Sequence, residues 1–174
     1  TINAIYIKCM EQTLTSTIID KTVPIYIIGM KNNEVSQWYE KQCIDNFKKF
    51  GYNNLIHFEA IVPKTMGDEL TFAQYRHYSK EVKRTWDLVE HAIWYSHYYQ
   101  WVKCVELDET IIVAEHDCMM TKEFTPFVLE HGLFSFAATT RTSHSIAGVG
   151  YIITPKYARR LIRHAEKAEI MVPC

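Results

Sequence analysis

The sequence predicts an α/β fold in which strands and helices alternate around a central sheet. Two observations lead to this prediction. Within residues 23–61 a strand, a helix and a second strand follow one another, and such a unit makes its two strands parallel. Residues 111–114 are a run of four apolar residues typical of an interior strand. Because 174 residues suffice for one domain with a sizeable core, we expect a single domain over 1–174.

The N-terminal elements are recognised by their composition and their turn residues. A short strand is expected at 4–7, and a longer one at 23–30, where β-branched and aromatic residues lie between a proline and a glycine. The apolar residues of 34–50 fall at helical spacing, which predicts a helix that stops at Gly51. A second strand is expected at 55–61.

The remaining elements continue this alternation. Residues 63–79 are polar and are interpreted as a loop that could contain a short helix. The last helix has Thr154 as its N-cap and Pro155 in its first turn. In order, we expect a helix at 86–105, a strand at 111–114, a short helix at 124–129, strands at 134–138 and 149–153, and the last helix at 156–168.

Composition excludes several classes of protein. The chain has 19 basic and 20 acidic side chains, which argues against a protein that coats nucleic acid, although a nucleic-acid acceptor stays possible. Its five cysteines are widely spaced and form no CxxC pair, as expected for free thiols in a reducing compartment. There is no apolar run long enough for a membrane span and no signal-peptide pattern, so we expect a cytoplasmic protein.

The candidate site begins where the strand at 111–114 runs into Glu115, His116 and Asp117. In open α/β sheets, ligands bind just beyond the carboxyl ends of the strands. Carboxylate oxygens suit Mn²⁺ or Mg²⁺, and an imidazole is a ligand that Mn²⁺ tolerates. The alternative is that Asp117 caps the next turn and that His116 faces solvent.

Two further polar segments have both a functional and a structural interpretation. Ser96 and His97 lie on the predicted long helix, either near a bound ligand and the acidic segment or, for His97, hydrogen-bonded inside the core. Because adjacent helical residues point in different directions, they are not expected to form a catalytic pair. In the polar loop at 139–145, Arg141 could bind phosphate and His144 could act as a base, or the loop could be an ordinary solvated turn.

Three blocks of the sequence occur in an order typical of one family. The first is the strand at 25–28, followed by Phe-Glu-Ala-Ile at 58–61. The second, at 92–101, contains a Ser-His pair with Trp four residues later, and it precedes the apolar strand and acids of 111–117. The third, at 148–161, is a glycine- and tyrosine-containing strand followed by a helix. Together they resemble glycosyltransferase family 25, which includes lipooligosaccharide and collagen galactosyltransferases.

This resemblance implies a GT-A type, Rossmann-like fold with a mostly parallel central sheet flanked by helices. It also implies metal-assisted transfer of a sugar, with inversion, from a nucleotide-sugar donor to a hydroxyl acceptor on a glycan, a lipooligosaccharide or a modified nucleic acid. The family's usual Glu-Asp-Asp is here Glu115-His116-Asp117, and the sequence ends soon after the last helix. An inactive transferase-like module that binds a nucleotide sugar or a glycan is therefore the alternative.

The resemblance and the residue chemistry together assign the candidate roles. Asp117 and His144 are the candidate catalytic residues. Glu115, His116 and Asp117 are the candidate ligands of Mn²⁺ or Mg²⁺. The candidate donor-binding residues are Ile28, Gly29, Ser96, His97, Glu115 and Arg141.

Overall fold

The computed structural model describes residues 17–63, 78–79, 84–85, 88–129, 132–135 and 150–167. Its elements in chain order are β1 (Thr17–Ile19), β2 (Ile25–Gly29), α1 (Glu34–Lys49), β3 (Leu55–Glu59), β4 (Tyr78–Ser79), β5 (Arg84–Thr85), α2 (Leu88–Leu107), β6 (Ile111–Glu115), β7 (Phe127–Leu129), β8 (Leu133–Ser135), β9 (Gly150–Ile153) and α3 (Pro155–Lys167). The predicted α/β class is confirmed.

The central sheet has five strands in the order β3-β2-β6-β9-β8. Strand β2 pairs in parallel with β3 and β6, as the strand–helix–strand prediction requires. Strand β9 pairs antiparallel with both β6 and β8, so the sheet is mixed, and the expectation of a mostly parallel sheet is not confirmed. The apolar composition of a buried strand does not reveal its direction, so the predicted strand at 149–153 could not be recognised as antiparallel from the sequence.

The sheet separates two cores, because alternate residues of each strand face opposite sides. Ile25 and Ile27 of β2 pack on the side of α1, whereas Tyr26 and Ile28 pack on the side of α2 and α3. Strand β6 alternates in the same way and is buried over its first four residues. The described part of the chain is therefore a sheet covered on both faces, with α1 and the β1–β7 pair on one side and α2 and α3 on the other.

Helix α1 begins at an N-cap that was not predicted and ends at the predicted glycine. The Asn33 side chain accepts a hydrogen bond from the Ser36 backbone N–H at 2.9 Å, as an N-cap does. The Ser36 hydroxyl in turn accepts one from the Met30 N–H at 2.9 Å. Gly51 follows the helix with a φ of 85°, a left-handed conformation that favours glycine. The predicted helix at 34–50 is confirmed.

One predicted element has the wrong type. The expected helix at 124–129 is instead irregular chain followed by strand β7, which pairs antiparallel with β1. Its alternating residues are half-buried, exposed and buried, the period of a strand that covers the core with one face. A segment of six residues is too short for spacing alone to separate helix from strand, so tertiary pairing decided the outcome.

The other predicted elements agree to within a few residues or lie outside the described ranges. The long helix, the strand before the acidic segment and the last helix are confirmed as α2, β6 and α3, and the strand at 134–138 is represented by β8. The short β4–β5 hairpin was not predicted. The strand expected at 4–7 and residues 64–77 of the expected loop are not among the described residues.

Two predictions from composition can be compared with the structure. Of the helices in the described part of the chain, none combines the length and the apolar character that a membrane span requires. Cys43, Cys104 and Cys118 are free thiols, as predicted, and the structure shows that all three are buried. Cys9 and Cys174 lie outside the described residues.

Candidate functional site

The candidate site lies at the edge of the sheet where the parallel strands β3, β2 and β6 have their carboxyl ends. The Ala60 N–H donates to the Gly29 carbonyl at 2.8 Å, and the His116 N–H donates to the Ile28 carbonyl at 3.0 Å. The segments that follow β3, β2 and β6 therefore leave the sheet side by side. In α/β sheets this edge is the usual position of a ligand.

The acidic segment leaves this edge through a tight turn, and its side chains separate. The Cys118 N–H donates to the Glu115 carbonyl at 2.9 Å, which closes the turn. Glu115 faces α2, whereas the His116 ring lies against α1, with its centroid 6.0 Å from that of Tyr39. Asp117 is exposed. His116 is half-buried and its ring contacts Tyr39, so it does not simply face solvent.

The predicted metal ligands do not form a protein-only cage. Among the residues that the structure describes, no group of three or more His, Cys, Asp or Glu side chains is placed to hold a metal ion. Glu115 and His116 point to opposite faces of the sheet, which accounts for this result. The carboxylates of Glu115 and Asp117 still provide oxygen ligands of the type that Mg²⁺ and Mn²⁺ prefer.

His97 joins the core of the domain to the acidic segment. It is buried, and its Nδ1 lies 3.1 Å from the hydroxyl of Tyr151 on β9. The same hydroxyl accepts a hydrogen bond from Trp101 Nε1 at 3.0 Å. On the other side of the ring, His97 Nε2 lies 3.4 Å from Glu115 Oε1. From the sequence, a hydrogen bond of His97 inside the core and a contact of His97 with the acidic segment were alternatives. In the structure His97 makes both contacts.

The other predicted donor-binding residues have defined places near the edge. The Ser96 hydroxyl accepts from the Ile61 N–H and donates to the Ala92 carbonyl, both at 2.9 Å, so it links α2 to the segment after β3. Ile28 is buried in the core on the α2 side, and only its backbone belongs to the edge. Arg141 and His144 lie outside the described residues.

A second acid–histidine–acid group was not identified from the sequence. His57 Nδ1 lies 2.6 Å from Glu40 Oε1 of α1, and His57 Nε2 lies 3.1 Å from Glu59 Oε2. The other oxygen of Glu59 accepts from the Lys31 N–H at 3.1 Å. A Cβ on Gly29 would lie 2.5 Å from Glu40 Oε2, so the glycine leaves the space that Glu40 occupies.

A signal for this group is present in the sequence. Glu40 lies on the same helical face as Ser36, Cys43 and Phe47, all of which are buried. A carboxylate on a buried helical face needs a partner. The partner of Glu40 is His57, which could not be identified from the sequence because only the pairing of β2 with β3 places β3 beside α1.

Charge and burial together set the electrostatics of this edge. Burial opposes ionisation of Glu59, but the hydrogen bonds from His57 and from the Lys31 N–H, with the charges of those residues, lower its pKa. Burial raises the pKa of the Cys118 thiol to about 12, and the charges of Asp117 and Glu115 act in the same direction. The thiol close to the acidic segment is therefore protonated at neutral pH.

Comparison with known protein families adds one finding. The model of glycosyltransferase family 25, described as an LPS biosynthesis protein family, matches residues 22–132, more than half of the 174-residue chain. The chain belongs to glycosyltransferase family 25. No curated protein matches it.

The match to family 25 covers the site described above. It includes β2, α1, β3, α2 and β6, and therefore the whole carboxyl edge with its acidic segment. The first two blocks of the sequence resemblance lie inside the matched range, and the third, at 148–161, lies beyond it. Membership supports transferase activity and implies a sugar donor and an acceptor.

Proposed function

We propose that this family 25 chain transfers a sugar from a nucleotide-sugar donor to a hydroxyl group of a glycan acceptor, with metal assistance. The family is described as one of LPS biosynthesis proteins, which supports an acceptor of the lipooligosaccharide class. A modified nucleic acid is a weaker candidate, because 19 basic and 20 acidic side chains give no excess of positive charge.

The observation that carries this proposal is the position of Glu115. Its carboxylate stands at the carboxyl end of the central strand β6, and the buried His97 lies 3.4 Å from it. His97 is buried and the Glu115 side chain is only 30% exposed, so the pair gives up part of its hydration at this edge. A site that binds a diphosphate through a cation would account for it.

The donor set of the acidic segment fits a divalent cation that is completed by substrate. Mg²⁺ is typically held by one or two carboxylates together with substrate phosphates rather than by a cage of protein ligands. Glu115 and Asp117 would be the carboxylates, and His116 would need a rearrangement of its contact with Tyr39 to join them. When bound, the cation would neutralise charge on the diphosphate leaving group.

The residues of the chain would supply the remaining requirements of the reaction. The backbone of Ile28 and Gly29 would border the donor, and Arg141 would contact its phosphates. In an inverting transfer the acceptor oxygen attacks the anomeric carbon and the bond to the diphosphate breaks. Asp117 or His144 would take the proton of the acceptor hydroxyl as the new bond forms.

Binding and transfer assays test the proposal. We expect UDP-galactose, UDP-glucose or GDP-mannose to raise the melting temperature of the chain in the presence of Mn²⁺, because a ligand that binds only the native state stabilises it. Asp117→Ala should weaken this binding at least about tenfold in calorimetry, as expected for loss of a charged ligand contact. Asp45→Ala, which removes an exposed carboxylate on α1, is the matched control and should bind normally.

The assays also separate the proposal from its alternative. Transfer to an oligosaccharide acceptor or hydrolysis of the donor would support an enzyme. Mn²⁺-dependent binding without either reaction would favour the inactive module, for which the altered triplet Glu115-His116-Asp117 is the specific observation. Binding that is unchanged in Asp117→Ala would remove the acidic segment from the site.

A further inference from the structure

We propose that Glu59, held by His57 and Glu40, is a positioning residue of the donor site that fixes the turn at 30–33 against the sheet. The inference rests on the proposed function, because this turn follows β2 directly and borders the edge at which we place the donor. None of the three side chains was among the candidates suggested by the sequence.

Three contacts connect three separate parts of the chain. His57 Nδ1 lies 2.6 Å from Glu40 Oε1, which joins β3 to α1. His57 Nε2 lies 3.1 Å from Glu59 Oε2, and Glu59 Oε1 accepts from the Lys31 N–H at 3.1 Å. The last bond spans 28 positions of the sequence and ties the turn to β3. The position of the turn thus depends on a helix and a strand beneath it.

The turn has local hydrogen bonds of its own. The Asn33 N–H donates to the Met30 carbonyl at 3.2 Å, the Met30 N–H donates to the Ser36 hydroxyl, and the Gln37 side chain donates to the Lys31 carbonyl. These bonds shape the turn and join it to α1. The Ala60 N–H holds Gly29, just before the turn, against β3, and the bond from Lys31 to Glu59 extends this attachment into the turn itself.

The contacts of His57 make the orientation of Glu59 specific. Both ring nitrogens face carboxylate oxygens, and a hydrogen must lie in each contact, since two bare lone pairs would repel. Hydrogen bonds to a carboxylate are shorter and stronger than neutral ones. The groups that face the ring are Glu40 from α1 and Glu59 from β3, and the charge of Lys31 acts on Glu59. Glu40 is itself almost fully buried and anchors the chain of contacts.

Glu59 is suited to positioning rather than to holding the fold together. Its side chain is 49% exposed, so its removal leaves no cavity in the core. Glu40, by contrast, occupies the space that a side chain at position 29 would fill. Substituting Glu59 should therefore release the turn while the sheet and helices persist.

The test compares three variants of the full chain. Glu59→Ala removes the carboxylate, Glu59→Gln keeps an oxygen that can accept from the Lys31 N–H, and Glu106→Ala removes an exposed, ion-paired carboxylate of α2 as the matched control. For each variant we would measure the melting temperature, hydrogen exchange of the Lys31 amide, and calorimetric affinity for UDP-galactose, UDP-glucose and GDP-mannose with Mn²⁺.

The proposal expects a specific combination of results. In Glu59→Ala, exchange of the Lys31 amide rises and donor affinity falls, each about tenfold or more, while the melting temperature stays close to that of wild type. In Glu59→Gln, protection of the Lys31 amide and donor affinity are both partly restored. Glu106→Ala resembles wild type in both measurements.

Other results would overturn it in distinguishable ways. Unchanged donor affinity in Glu59→Ala, with binding by the wild-type chain intact, would reject the positioning role and leave the proposed function standing. An equal loss in Glu106→Ala would also reject it. If the wild-type chain binds none of the donors, the proposed function fails and the inference fails with it, whatever the exchange of Lys31 shows.

Discussion

The hydroxyl of Tyr151 lies 3.1 Å from Nδ1 of His97, inside the core between β9 and α2. Through this contact an antiparallel strand of the sheet supports a helix residue whose other nitrogen reaches Glu115. The same hydroxyl also accepts from Trp101. The acidic segment is therefore connected through His97 to a buried hydrogen-bond network that joins β9 and α2.

Tyr151→Phe should destabilise the protein by about 1–3 kcal/mol, because it leaves the buried Trp101 Nε1 and His97 Nδ1 without the hydroxyl they share. Chemical denaturation would measure this change. Tyr99→Phe, at an exposed position of α2, is the control and should differ little from wild type. Equal effects of the two substitutions would contradict this account of Tyr151.

Gly29→Ala should destabilise the fold by about 1–3 kcal/mol, the range typical of overpacking. The new Cβ would lie 2.5 Å from Glu40 Oε2, and Glu40 cannot move without losing His57. In a Glu40→Ala background the same substitution should be much less harmful, because the obstacle is gone. Additive effects in this double-mutant cycle would show that Glu40 is not the reason for the glycine.

Glu59 should contribute a pH-dependent part of the stability. Burial opposes its ionisation, but His57 and the Lys31 N–H lower its pKa below the ordinary value of 4.5. A lowered pKa in the folded state stabilises the protein above pH 4.5, and this contribution disappears as the pH falls through the folded value. Because the side chain is half exposed, the contribution should be about 1 kcal/mol or less.

Urea denaturation of wild type and Glu59→Gln across this pH range provides the measurement. The two should differ at neutral pH and converge in acid, where wild-type Glu59 is also uncharged. A difference that is independent of pH would show that the charge of Glu59 does not stabilise the fold.

The described cysteines should be unreactive in the native protein. Burial raises the pKa of Cys104 and Cys118 to about 12 and raises that of Cys43 as well, so the nucleophilic thiolate is scarce at neutral pH. In a variant with Cys9 and Cys174 replaced by serine, Ellman's reagent should react slowly with the native chain and rapidly in denaturant. Fast reaction in native buffer would indicate that these thiols are accessible.

Local sequence determined much of the architecture. Apolar runs located β2 and β6, helical spacing with Gly51 located α1, and Thr154 with Pro155 located the start of α3. These features act within a few residues of chain, so they can be recognised without the rest of the fold. The ordered blocks of residues also indicated family 25, which the family match confirms.

Tertiary structure decided the features that depend on long-range pairing. The antiparallel direction of β9 and the strand character of β7 follow from their partners β6, β8 and β1. The candidate site likewise combines a feature predicted from local sequence with contacts that depend on packing. Sequence placed Glu115 at the end of a buried strand, but only packing brought His97 to it and joined Glu40 to His57. Such contacts link residues far apart along the chain, and a hydrogen bond depends on distance in space rather than on separation in sequence.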